Sequence, residues 1–186
     1  MLPYCQYVLT HPEDEYNRVY HDSEYGFPLD EDDLLFERLV LEINQAGLSW
    51  LTILKKKKNF KKAYFHFDIK KVARFDTDDF KRLMNNQGII RNRLKINAAI
   101  ENAKRIQILQ KEHGSFKLWL DSHSHLSMEE WVKLFKRNFL FTGKQIVGEF
   151  LMSTGYVSGS HDEDCPIFDK ILEKKPPWMK FISSHG

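Results

Sequence analysis

No stretch of this 186-residue chain approaches the roughly 20 consecutive apolar residues that cross a bilayer, which excludes a helical membrane anchor. The opening segment MLPYCQYVLTHPED has no basic stretch followed by an apolar one. No secretory signal is therefore read there, and the expected location is cytoplasmic. Cysteine is scarce: Cys5 and Cys165 stand alone, near opposite ends. In a reducing compartment such a pair supplies free thiols or metal ligands sooner than a disulfide. There is little excess of either charge, 28 basic against 26 acidic side chains. That balance neither demands nor excludes nucleic acid. Repeats, low-complexity tracts, Pro/Ser-rich linkers and alternating strand patterns are all missing. The length fits one substantial core, or two helical lobes sharing one interface. Residues 1–186 are read as a single domain, and nothing demands more than a monomer.

What is present is a globular composition, 42% hydrophobic and 29% charged. Aromatic residues reach 13%, with 14 Phe, 7 Tyr and 4 Trp. They build either a Phe-rich core or, in part, a ring-lined pocket. Lys55, Lys56, Lys57, Lys58, Lys61 and Lys62 crowd together. Such a run is either a solvated helix face or a phosphate-neutralising patch.

Helical spacing dominates, so the fold class is all-α with many short helices. Residues 31–45 carry the stripe Leu34, Leu35, Leu39, Val40 and Ile43, with Asp30 or Asp32 available as cap and Gly47 as stop. Ser49 can cap a second helix through Trp50 and Leu54. Asp68 and Thr77 can cap two short ones. A long helix is expected from about Arg91 to Glu112, ended by Gly114. Ser127 with Glu130 spells a capping box. A hairpin-like turn at 139–143 precedes a helix over 146–154, which stops at Gly155.

Three constellations carry chemistry. Cys5, His21, His161 and Cys165 are ligand types that zinc prefers, and a four-residue step can bring His161 and Cys165 to one point on a helical turn. By spacing alone they are equally two ordinary thiols among 8 histidines. Glu42, in the run Leu41-Glu42-Ile43-Asn44-Gln45-Ala46-Gly47-Leu48-Ser49-Trp50, either faces solvent or is aimed into a pocket with Trp50, Tyr20 and Tyr25. Finally, two turns, at Gly88 before Arg91 and at Gly143 before Lys144, could each deliver a helix N-terminus to an anion. Such turns also occur as plain connections.

The segments Tyr20-His21-Asp22-Ser23-Glu24-Tyr25-Gly26, the run from Leu41 to Trp50, Thr52-Ile53-Leu54-Lys55-Lys56-Lys57 and Gly88-Ile89-Ile90-Arg91 resemble the 3-methyladenine DNA glycosylase I family. The match runs from about Cys5 to Ala103 and resumes from about Trp131 to Cys165. The segment between Gly114 and Trp131 is shorter than the family's usual one. The resemblance implies an all-α fold of the helix-hairpin-helix DNA glycosylase superfamily. It also implies a structural zinc ion that joins the chain ends at Cys5, His21, His161 and Cys165. The base-reading glutamate falls at Glu42, and aromatic base contacts fall at Tyr20, Trp50, Tyr25 and Tyr7. Tyr7 and Tyr25 stand where the family has tryptophans, and Asn44 where it has a glutamine. The DNA-backbone positions are Gly143, Lys144, Gly88 and Arg91, with the second hairpin favoured.

The implied partner is double-stranded DNA containing alkylated bases, and the implied reaction is hydrolytic release of the base. A purine methylated at N3 is already a cation, so its departure needs little acid help. An ionised Glu42 offers only acceptors, which suits adenine's amine and opposes guanine's O6. Gln145 stands where lyase-type relatives carry a lysine, so the expected product is an abasic site with the strand intact. The competing reading is a DNA-damage binding module of the same fold that has lost turnover.

Overall fold

The structure, a computed structural model, describes residues 1–182. Among them are twelve α-helices, one 3-10 turn at Phe65–Phe67, and no strand. Two helices at the start were not anticipated: α1 (Pro3–Thr10) and α2 (Glu15–Ser23). Pro3 opens α1 at a position where its missing N–H costs nothing. Asp14 caps α2 by accepting from Asn17 N.

Next come α3 (Asp32–Gln45) and α4 (Trp50–Ala63), whose Ser49 cap is as expected. The short α5 (Ile69–Val72) is capped by Asp68. In α6 (Thr77–Asn85) the cap is Asp76, not Thr77, because its carboxylate accepts from both Asp78 N and Asp79 N. The long α7 (Arg93–His113) starts two residues later than the periodicity implies, since Asn92 accepts from Leu94 N and Lys95 N. Gly114, at φ +89°, ends it. The segment between Gly114 and Trp131 holds α8 (Phe116–Ser122). The helix α9 (Met128–Asn138) opens with the expected Ser127–Glu130 capping box. Then follow α10 (Lys144–Ser153), α11 (Phe168–Glu173) and α12 (Met179–Ile182).

The axis of the molecule is α3. Leu35, Phe36, Leu39, Val40, Leu41 and Ile43 are all buried around it, the signature of a helix enclosed by others. It packs against α4, α7, α8 and α10. Its start corrects the sequence reading. Neither Asp30 nor Asp32 caps α3; Glu31 is the N-cap and makes no side-chain bond. Asp32 instead caps α8, accepting from Phe116 N at 2.8 Å, Lys117 N at 2.9 Å and Gln110 Nε2 at 2.7 Å. Asp33 accepts from Ile69 N at the start of α5. The acidic first turn of α3 thus holds two other helices in place.

Both readings of the aromatic surplus hold. Phe36, Phe60, Phe67, Phe116, Phe135 and Phe150 are fully buried in the main core. Tyr64 and Tyr156 join that core, whereas Tyr4, Tyr20 and Tyr25 line a cavity. A second, smaller cluster contains Cys5, Cys165, Ile167 and Ile171. No helix among the described residues is long and apolar enough to cross a membrane.

Candidate base pocket and metal centre

A cavity of about 260 Å³ opens between α2, α3, α4 and α10. Ligand pockets usually span roughly 300–1,000 Å³, so this one suits a single ring system. Its walls are Tyr4, Tyr20, Tyr25, Trp50, Glu42, Gln45, Gln145 and Glu149. The aromatic wall is interlocked. Tyr20 meets Trp50 edge-on with ring centres 4.9 Å apart, and Tyr4 meets Tyr25 edge-on at 5.5 Å. Trp50 Nε1–H is buried and finds no acceptor among the described residues.

Helical spacing explains why α3 presents a polar group here. Arg38, Glu42 and Gln45 lie at four- and three-residue steps, on one face of an otherwise apolar helix. Arg38 is buried and fully engaged. It donates to Tyr20 Oη at 2.9 Å, to Ser153 O at 3.3 Å and to Glu24 Oε2 at 3.3 Å, and its guanidinium covers the Tyr20 ring. Glu42 is 4% exposed. Burial pushes its carboxyl up to about 8, with Glu149 adding to the rise while Arg38 and the Ser153 hydroxyl oppose it. In the free protein at neutral pH, Glu42 is therefore largely neutral. A neutral carboxyl can both donate and accept.

The end of α3 is pinned. Lys95, buried on α7, donates to Asn44 O at 2.9 Å and Ala46 O at 2.6 Å. A cation there also complements the helix C-terminus. Gln45 Nε2 reaches Leu48 O, and Gly47 adopts φ +80°, a conformation that favours glycine.

Of the aromatic residues expected at the base, Tyr20, Tyr25 and Trp50 line the cavity and Tyr7 does not. Tyr7 is 38% exposed, donates to Asp14 Oδ2 and stacks on His11. The inward position on α1 belongs to Tyr4, three residues earlier, which sequence reasoning missed because α1 itself was not anticipated. Asn44 is also off the wall, its Nδ2 bonded to Val40 O. Only one of the three departures from the family pattern, Tyr25, touches the cavity. Glu149 was missed too. Its signal was its four-residue step from Gln145 on the polar side of a helix that buries Val147, Phe150 and Leu151.

The two hairpins differ. Gly88 does not open a helix. Its N–H donates to Asn86 Oδ1 at 2.8 Å, and α7 begins five residues later under its own Asn92 cap. That removes Gly88 as an amide donor for a phosphate; Arg91 beside it is exposed. Gly143 is the N-cap of α10, makes no side-chain cap bond, and is exposed together with Lys144. Buried Asn102 on α7 clamps this hairpin through Leu140, accepting from its N at 2.8 Å and donating to its O at 3.1 Å. The lysine run is partly neutralised from within. Lys57 pairs with Glu24, Lys61 pairs with Glu37 at 3.3 Å, and Lys56 donates to Gln87 O. Lys55, Lys58 and Lys62 are exposed.

Behind the aromatic wall, Cys5, His21, His161 and Cys165 come together, all buried, with ligand atoms within 4.8 Å of one another. Cys5 Sγ lies 3.6 Å from His161 Nδ1, His161 Nδ1 3.2 Å from Cys165 Sγ, and Cys165 Sγ 3.5 Å from His21 Nε2. These are edge lengths that a tetrahedral ion with bonds of about 2.0–2.3 Å requires. The outer ring nitrogens are oriented as well: His21 Nδ1 against Asp22 Oδ1 at 2.7 Å and His161 Nε2 against Tyr25 O at 2.9 Å. Burial and the nearby Cys165 push the Cys5 thiol up to about 12, and burial lowers His161 to about 4. The donor set fits a metal ion. His161 and Cys165 meet across an irregular turn, closed by Cys165 N to Asp162 O, and not on a helical turn. Asp162 ties the ends further, accepting from Leu2 N and pairing with the Met1 amine.

A profile of the methyladenine glycosylase family matches residues 10–133. The DNA-3-methyladenine glycosylase of Haemophilus influenzae is 35% identical over 166 residues, covering 79% of this chain and 89% of that protein. DNA-3-methyladenine glycosylase 1 of Escherichia coli is 34% identical over 159 residues, covering 75% and 85%. Among solved structures, a variant of a 3-methyladenine DNA glycosylase I in complex with 3-methyladenine superimposes with a TM-score of 0.78 at 32% identity, covering 83% of this chain and 93% of that one.

Proposed function

The chain belongs to the methyladenine glycosylase family, and we propose that it releases 3-methyladenine from alkylated DNA by hydrolysing the N-glycosidic bond of a base held against Glu42. The observation that carries this reading is a buried carboxyl inside a cavity walled by Tyr20, Tyr25, Trp50 and Tyr4. The substrate is double-stranded DNA from which the damaged nucleotide is extruded, at a cost of about a few kcal/mol. The enzyme works as a monomer in the cytoplasm.

The leaving base is a cation until the bond breaks. Ring faces stabilise that charge, supplied by Tyr20, Tyr25 and Trp50 in the cavity wall. As the cation enters, its charge favours the ionised form of Glu42, whose proton passes to solvent water, and the carboxylate then accepts from the adenine amine. Guanine's O6 would meet the same acceptor with no proton between them. The departing base becomes neutral and leaves, and water completes the abasic site. Gln145 supplies no amine nucleophile, so the strand stays intact.

The helix-hairpin-helix element is the second hairpin. Gly143 and Lys144 offer backbone amides and an ammonium to a phosphate near the cavity, with Arg91 a further cation on the first hairpin. Cys5, His21, His161 and Cys165 would hold a zinc ion, which would cross-link the two ends of the fold beside α1 and α2. A closed four-ligand set leaves no position for water, so the ion serves structure.

Incubation with methylated duplex followed by chromatography of the supernatant tests the reading. Free 3-methyladenine is expected with uncleaved strands; no released base would reject the activity, and strand scission without added base or heat would reject the monofunctional reaction.

A further inference from the structure

The lysines of α4 are sorted by the fold into two sets. Lys57 and Lys61 turn inward to Glu24 and Glu37, and Lys56 donates to Gln87 O. Lys55, Lys58 and Lys62 follow one another at three- and four-residue steps, and all three are exposed. None of these three has a carboxylate at ion-pair distance among the described residues. The Asp14 carboxyl is lowered mainly by the Asn17 side chain, with Lys55 a minor cause, and Asn17 and Tyr7 occupy it. An uncovered stripe of like charges costs a helix stability.

The stripe starts beside the base cavity. Trp50 opens α4 and lines the cavity; Lys55, Lys58 and Lys62 lie about 7.5, 12 and 18 Å further along the axis. Tyr20 lines the cavity and also a groove of about 530 Å³ between α2 and α4, which Lys55 and Lys58 border. Of the acids in that groove, Glu24 is held by Arg38 and Lys57, and Glu15 complements the start of α2. On another wall of the cavity, α10 begins at Lys144, one residue before Gln145. Two helices therefore bring cations to the flanks of one opening.

We propose that Lys55, Lys58 and Lys62 form a second phosphate-binding track, which holds the DNA flanking the extruded nucleotide on the side away from the Gly143 hairpin. This rests on the base-release reading above and extends it to the path of the duplex. Ammonium groups on flexible stems neutralise phosphates without reading sequence. Each neutralised phosphate releases counterions, so each contact steepens the salt dependence of binding. The track also gives the footprint a direction. A lesion near one duplex end loses the α4 contacts, and a lesion near the other end keeps them.

The test follows binding by fluorescence anisotropy across a salt series, using a duplex of roughly 24 base pairs with a central tetrahydrofuran abasic analogue. Lys55→Gln combined with Lys58→Gln should lower the slope of log K against log salt by about 1.8, or about 0.9 per lost phosphate contact. The variant should melt no lower than wild type, since both side chains are exposed. The control is Lys111→Gln, exposed and beside Gln110, which bonds Asp32 at the far end of α3 from Glu42. It should move the slope by less than about 0.3. Shifting the analogue toward one duplex end should weaken wild-type binding more than shifting it toward the other, and the double variant should lose that difference. An unchanged slope, the same fall in Lys111→Gln, or equal wild-type binding at both ends would overturn the proposal. If wild type releases no 3-methyladenine from methylated DNA, the base-release reading itself is wrong. If it releases the base while the slope stays fixed in the double variant, only the track falls.

Discussion

Glu42 shows how burial couples the titration of one cavity carboxyl to stability. Its ordinary value of 4.5 rises to about 8 in the fold, with burial the largest cause. The groups around it are Arg38 on its own helix, Glu149 on α10 and the hydroxyls of Tyr20, Tyr25 and Ser153. Because the folded value is raised, the folded state keeps a proton that the unfolded chain loses first. The stability tied to that proton is complete below about pH 4.5 and disappears as pH climbs through 8. Glu42→Gln has nothing to lose over this window. Denaturant melts at pH 5 and pH 8 should show the variant gaining on wild type by on the order of a few kcal/mol as pH rises. Parallel stabilities at the two pH values would contradict the burial argument. At this scale the sequence was legible where a motif spoke: Glu42, Tyr20, Trp50 and Tyr25 all reach one cavity. It was illegible for Tyr4 and Glu149, whose facing depends on how α1 and α10 are rotated. Tyr7 was misread for the same reason, three positions along an unread helix.

Three local caps were read correctly, two were placed one or two residues off, at Asp76 and Asn92, and the tertiary one at Asp32 was misassigned. Ser49, Asp68 and the Ser127–Glu130 box serve their own helices. Asp32 serves α8, some eighty positions away, and no sequence window contains that pairing. Replacing Asp32 by Ala strips two backbone amides and the Gln110 amide of their acceptor. A loss of about 2 kcal/mol is expected, which at roughly 2–4 °C per kcal/mol lowers Tm by about 4–8 °C. A Tm shift under about 1 °C would show that Ser115, which also caps α8, suffices alone. The hairpins teach the same lesson. Gly88 and Gly143 look alike in sequence, yet Asn86 and Asn92 consume the amides of the first, while Asn102 from a distant helix shapes the second.

The molecule as a whole is a helical shell around α3, closed where its two ends meet. The all-α class was readable from periodicity. The meeting of the ends was not, because residues 5 and 165 communicate only through the folded chain. It came from resemblance, and the geometry at Cys5, His21, His161 and Cys165 fits it. Cys165→Ser should lose about one equivalent of zinc by elemental analysis. A cross-link worth at least about 3 kcal/mol translates to a Tm lower by on the order of 10 °C. Wild-type protein purified without metal and equally stable would contradict the structural role. The same four residues stand behind Tyr4, Tyr20 and Tyr25, so an ion held there would act on the cavity only through its walls. The proposed activity turns on the carboxyl at its centre. The most direct measurement is the rate of 3-methyladenine release from methylated duplex by wild type and by Glu42→Gln, read by chromatography. The account predicts a loss of roughly 10²–10³-fold in the variant with DNA binding retained. Equal rates and equal selectivity in the two proteins would contradict it.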